Sequence, residues 1–189
     1  MNYIVLNNVK KILIITLFIL FFTGKISAYA VIWENPQNIN VYIPQIDDRT
    51  KLMKKAFEEW QRKTKNQFVF NFVNSVEDSD INVVFIEKNL EPYCGNIDAR
   101  GCSIPFLYNG KPRETIYITK RAPKGLLLSN TQIYAIMRHE IGHSIGLEHT
   151  KNYNDIMYPM TNLGIAIRQD IRSGDLQQLY KVYGIIPRK

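Results

Sequence analysis

All three histidines of this 189-residue chain lie between positions 139 and 149, in the string His139-Glu140-Ile141-Gly142-His143-Ser144-Ile145-Gly146-Leu147-Glu148-His149. An α-helix repeats its face about every 3.6 residues, so His139 and His143 would stand one turn apart and their imidazoles could converge on one ion. Zinc takes imidazole nitrogen at about 2.0 to 2.1 Å and favours a tetrahedron. If the helix stops at Gly146, which enters the left-handed region without penalty, the chain can swing back and bring His149 to the third corner. The fourth corner is then left to water.

Glu140 would project beside the first ligand, where it can take a proton from that water as the water attacks a carbonyl. Zinc lowers the pKa of such a water to about 7 and polarises the carbonyl, so a carboxylate suffices as base. The chemistry expected is peptide-bond hydrolysis by a zinc-activated water, with Glu140 as general base and then proton donor to the leaving amine. Gly142 costs about 1 kcal/mol relative to Ala inside a helix, a cost that close packing near the metal would justify. The competing reading is two core histidines and a solvent-facing glutamate.

The elements that must position these groups follow from patterning. Ile39 to Ile43 alternates and ends at Pro44, which reads as a strand. Asp47 or Asp48 can cap a helix carrying Leu52, Met53, Ala56, Phe57 and Trp60 on one face. Strands are predicted around Phe68 to Val73 and over Ile81 to Ile86, and strands joined through a helix favour parallel pairing. Pro105 cannot donate to a ladder, so a strand over Cys102 to Tyr108 belongs at a sheet edge. A further strand, Ile116 to Ile118, follows a turn at Asn109-Gly110-Lys111-Pro112. Ser129 or Asn130 caps the motif helix, and a last helix starts near Asp170 to Ser173, buries Leu176, Leu179, Tyr180 and Tyr183, and stops at Gly184. The predicted order is βαββββαα, an α+β or mixed α/β sandwich.

The string HEIGHSIGLEH resembles the extended zinc motif of the metzincin metallopeptidases, which pair it with a turn containing a methionine. Asp155-Ile156-Met157-Tyr158-Pro159 looks like that turn, with Met157 as an apolar floor under the imidazoles. The short gap from His149 to Met157 and the IMYP string are most similar to the matrixins, the matrix metalloproteinase branch, since Thr150 and Pro159 stand where astacin-like members carry Glu and Tyr. The resemblance implies an α+β fold: a mixed sheet with an edge strand over the active-site cleft, motif helix, Met-turn and C-terminal helix. It implies one catalytic zinc on His139, His143 and His149, and an extended peptide or protein substrate lying antiparallel to the edge strand near Ser103 to Tyr108. The pocket beyond the scissile bond would be walled by Pro159-Met160-Thr161 and the helix around Ala135. No histidine remains for the second, structural zinc of animal matrixins, no acidic loop assigns a calcium site, and the Pro-Arg-Cys-Gly segment that blocks matrixin zinc does not occur.

Composition bounds the rest. The chain is 46% hydrophobic and 22% charged, the balance of one globular domain rather than a disordered or fibrous chain. Lys10, Lys11 and Lys25 are the only charged residues of the first 30, so removing them from the net +7 leaves +4, too mild to imply a nucleic-acid partner. An apolar run from Ile12 to Phe22, basic flank and Ala28-Tyr29-Ala30 read as a secretory signal peptide over 1–30, followed by a single domain over 31–189. About 11 apolar residues rise only about 16 Å as a helix, short of a bilayer core of about 30 Å. The expectation is a secreted or periplasmic monomer without stable membrane association once the signal is cleaved. Export makes a Cys94–Cys102 disulfide the favoured pairing. Two alternatives stay open: a catalytically silent peptide-binding module on the same fold, and a membrane-tethered processing protease.

Overall fold

The structure is a computed structural model that describes residues 31–159 and 170–186; the signal-peptide reading, and Met160 and Thr161 of the expected pocket wall, lie outside the described residues. The chain runs β1 (Ile39–Tyr42), α1 (Asp48–Lys63), β2 (Phe70–Val73), β3 (Ile81–Ile86), α2 (Glu91–Cys94), β4 (Gly101–Tyr108), β5 (Lys111–Thr119), α3 (Asn130–Ser144) and α4 (Ser173–Tyr183). The five strands form one sheet in the order β2-β1-β3-β5-β4, parallel except for the antiparallel β4–β5 hairpin. This is the α+β mixed sheet expected, with β4 and its Pro105 at an edge.

Two details differ from the patterning. α2 is a single turn, entered through Pro92 and closed by Gly95, too short to leave a periodic signal. The hairpin turn is tighter than predicted: Asn109 (φ 51°) and Gly110 (φ 75°) both take left-handed backbone, so Lys111 and Pro112 already pair in β5, opposite Tyr108 and Leu107. That two-residue Asn-Gly turn matches the twist of the flanking strands.

The core lies between the sheet and helices α1 and α3, where Val41, Val83, Ile116 and Ile118 meet Phe57, Trp60, Ile136 and Ile141. α1 begins where the Asp47 carboxylate accepts from Arg49 N, and it buries Met53, Ala56, Phe57 and Trp60. The Trp60 indole N–H donates to Arg138 O at 2.9 Å, tying α1 to the backbone of α3 just before the first histidine of the motif. α3 opens with a reciprocal capping box, Ser129 with Gln132, which satisfies two otherwise orphaned donors. At its far end the Trp33 indole N–H donates to Ser144 O at 2.9 Å. A disulfide joins Cys94 at the end of α2 to Cys102 in β4, with the two Cα atoms 6.0 Å apart.

Candidate metal centre and cleft

α3 ends at Ser144 and Ile145 caps it; Gly146 then takes φ +95°, the left-handed step that turns the chain back. His139 and His143 project from successive turns, and His149 arrives from the returning loop. Their Nε2 atoms lie 3.1 Å (139–143), 3.2 Å (139–149) and 3.2 Å (143–149) apart. For Zn–N bonds of about 2.05 Å a tetrahedron has N–N edges of about 3.3 Å, so the spacing matches a single ion.

The rings are also held in the right tautomer. His139 Nδ1–H donates to Ile156 O at 2.7 Å and His143 Nδ1–H donates to Leu147 O at 2.8 Å, which leaves both Nε2 lone pairs facing the shared centre. Burial, with the neighbouring imidazoles, pushes His139 down to about 3, and burial pushes His143 down to about 4. His149 is lowered by burial as well. The rings are therefore neutral near pH 7, the state a cation requires. His139, His143 and His149 could hold a metal ion.

Met157 is fully buried. A Cβ built on Gly142 would sit 2.2 Å from Met157 Sδ, so glycine is what lets the turn pack against the motif helix. The turn is fixed from α4: the buried Asp175 carboxylate accepts from Ile156 N and Met157 N, each at 3.2 Å, and from Arg172 N at 2.9 Å. One carboxylate thereby fixes both the Met157 segment and Ile156, whose carbonyl orients His139.

Glu140 is 6% exposed and lines a cleft of about 820 Å³ together with His139, His143 and His149. Burial, reinforced by Glu114, pushes its carboxyl up to about 8, and a cation at the three imidazoles would draw it back down. A Cβ at Gly101 would meet Glu140 Cγ at 2.7 Å and Oε1 at 2.8 Å, so the edge strand passes against the carboxylate at a point only glycine permits.

Sequence reasoning missed two members of this cleft. Glu114 is 2% exposed on β5, and its Oε1 accepts from Ser103 Oγ at 2.7 Å. Gly101 is the other. Neither belongs to a motif, and in sequence Arg113-Glu114 reads as a solvated pair. The Cys94–Cys102 ring is also part of the cleft, whose lining includes Asn96, Asp98, Arg100 and Cys102.

The mixed sheet, motif helix, left-handed return and buried methionine turn are accompanied by a match over residues 28–184 to the family model described as Peptidase_M10, Matrixin. The chain belongs to the matrixin family. It is 33% identical over 64 residues to stromelysin-2 of Rattus norvegicus, covering 31% of this chain and 13% of that protein. It is 35% identical over 52 residues to matrix metalloproteinase-26 of Homo sapiens (28% of this chain, 20% of that protein) and 32% identical over 50 residues to matrilysin of Felis catus (26% and 19%). The matches thus span a fifth or less of each relative's length. No described helix is long and apolar enough to cross a membrane.

Proposed function

We propose that the chain is an exported zinc-dependent endopeptidase, with His139, His143 and His149 as the metal ligands and Glu140 as the general base. The observation that carries this reading is the convergence of three neutral imidazole Nε2 atoms at 3.1 to 3.2 Å with a buried carboxyl beside them. Bound zinc would supply Lewis-acid polarisation of the scissile carbonyl and acidify the attacking water.

The chain's residues do the rest. β4 has one edge unpaired by the sheet, so an extended peptide can add to it as a strand, its main chain held by hydrogen bonds. Glu140 accepts the proton of the attacking water and passes it to the leaving amine. Ile156 and Leu147 carbonyls keep His139 and His143 aimed during both steps. The first 30 residues act as the export signal, and Val31 begins the mature domain 31–189.

The test is metal analysis of the purified protein together with Glu140→Ala. Stoichiometric zinc, hydrolysis of an unfolded protein substrate by the wild type, and loss of nearly all hydrolysis with zinc retained in the variant are expected. Undiminished cleavage by the variant would remove Glu140 from the chemistry, and a metal-free protein would end the reading. Mass spectrometry of the exported protein should find Val31 at its N-terminus; a retained leader would argue for a membrane-tethered form.

A further inference from the structure

The cleft is acidic in a chain that is basic overall. Against 24 Lys+Arg and 17 Asp+Glu in the whole chain, its lining carries Asp98, Glu114, Glu140 and Glu148, with Arg100 as the one Lys or Arg beside the three neutral imidazoles. Asp98 and Glu148 are exposed and solvated, and Glu140 belongs to the proposed chemistry. Glu114 is different. It is 2% exposed, receives a single hydrogen bond from Ser103, and its Oε2 has no hydrogen-bond partner. Arg100 makes no ion pair among the described residues, so the cleft's own base leaves this carboxylate unmatched.

A buried carboxylate with an unmet oxygen is unfavourable, and folding gives no reason for it here. Ile116 and Ile118, on the same face of β5, are apolar and fully buried, so an apolar residue at 114 would continue that pattern at lower cost. The group makes sense if something else completes it. Ser103, its partner, sits on β4, whose free edge is where a peptide strand would add, and such a strand sends every second side chain toward the same face.

We propose that Glu114, oriented by Ser103, forms a subsite of the cleft for a cationic side chain, lysine or arginine, of the peptide substrate. This rests on the peptidase reading and narrows its substrate class. Oε1 already accepts from Ser103, while Oε2 is the acceptor left without a partner, so a cation entering beside Ser103 supplies the donor that the carboxylate lacks. Burial holds the Glu114 carboxyl up at about 7, which keeps the uncharged form accessible until a cation arrives and favours the charged one.

The experiment uses the full-length zinc-loaded protein and peptide pairs that differ at one position, lysine against acetyl-lysine and arginine against citrulline, scanned across the subsites. Binding is measured by fluorescence anisotropy on the Glu140→Ala variant, and hydrolysis on the wild type. At one subsite the cationic member should bind about 10-fold or more tightly than its neutral partner, the range of a partly desolvated charge-assisted hydrogen bond. Glu114→Gln, introduced into the Glu140→Ala background, should bring that ratio to about 1. Equal binding of cationic and neutral members at every subsite overturns the inference, as does a cationic preference that survives Glu114→Gln. Wild-type hydrolysis that does not discriminate also sinks it, leaving the peptidase reading intact; absent hydrolysis with a Glu114-dependent cationic preference in binding would sink the peptidase reading and keep the subsite. Should Glu114→Gln fail to fold, Ser103→Ala in the Glu140→Ala background takes its place: loss of the hydroxyl that orients the carboxylate should reduce the cationic preference, and an unchanged preference overturns the inference.

Discussion

Replacing Gly142 with alanine separates two effects that oppose each other in stability. Alanine in a helix interior is favoured over glycine by about 1 kcal/mol. The added Cβ, however, would lie 2.2 Å from Met157 Sδ, 3.2 Å from Met157 Cε and 3.3 Å from Trp60 Cζ2. Restoring ordinary contact with the sulfur requires a displacement of about 1.3 Å or more. Met157 and Trp60 are both fully buried, so neither can yield into solvent. Overpacking of this kind costs about 1 to 3 kcal/mol, leaving a net loss of roughly 0 to 2 kcal/mol against the propensity gain.

Stability alone is therefore a weak discriminator, and metal affinity is the sharper one. Met157 follows Ile156, whose carbonyl accepts the His139 Nδ1–H at 2.7 Å. Pushing the turn away from α3 lengthens that bond, and lost support of this kind typically weakens metal binding 10- to 100-fold. Chelator competition should show Gly142→Ala binding zinc at least about 10-fold more weakly than wild type, with urea denaturation reporting the apo-protein's stability separately. Zinc affinity within twofold of wild type, together with a stability gain near the helix-propensity value, would refute the claim that this glycine exists to admit the methionine.

The apo-protein should have a stability plateau between about pH 4.5 and 6.5. Below it, His139 and His143, held down at about 3 and 4, resist the protons that the unfolded chain takes up, so stability falls as pH drops; above it, Glu114 and Glu140, held up at about 7 and 8, must be charged in the fold, so stability falls as pH rises toward 8. Each buried group contributes a slope of up to about 1.4 kcal/mol per pH unit, and saturating zinc should flatten the alkaline limb; apo stability rising from pH 6.5 to 8 in denaturant titrations would contradict this. Gly101→Ala drives a Cβ to within 2.8 Å of Glu140 Oε1 and should lower kcat at least about 10-fold while zinc content is unchanged, and unaltered kcat would remove the edge strand from control of the base. Converting both Cys94 and Cys102 to serine opens a link across eight positions and should cost about 2.5 kcal/mol in urea denaturation, with no loss of zinc.

The sequence was most informative where chemistry is local. His139, His143 and Glu140 share one helix, so their spacing alone places them, and Gly146 announces the return that brings His149 in. The Asn109-Gly110 turn and Pro105 at the sheet edge were legible for the same reason: each is a backbone constraint of one or two residues. Gly142 stood half-way: its cost in a helix was visible and the family resemblance put Met157 under the imidazoles, while the contact between the two was not legible in the sequence.

What escaped was set by contacts between distant segments. Glu114 is charged in a stretch with Arg113 and Lys111, and nothing in that stretch distinguishes a solvated strand end from a buried carboxyl; only the pairing of β5 with β4 brings Ser103 to it, and only the approach of α3 encloses it. Gly101 looked like one more loop glycine beside Cys102, until the crossing of β4 over α3 put the general-base candidate where its side chain would be. Asp175 likewise reads as an ordinary first-turn acid of α4, yet it spans 18 residues to hold Met157 N and with it the carbonyl that orients His139. The ligands of this site are thus written in one contiguous string, but their rigidity is distributed over β4, β5 and α4. A variant library confined to the HEIGHSIGLEH string would find the groups that meet the metal and miss those that hold them in place.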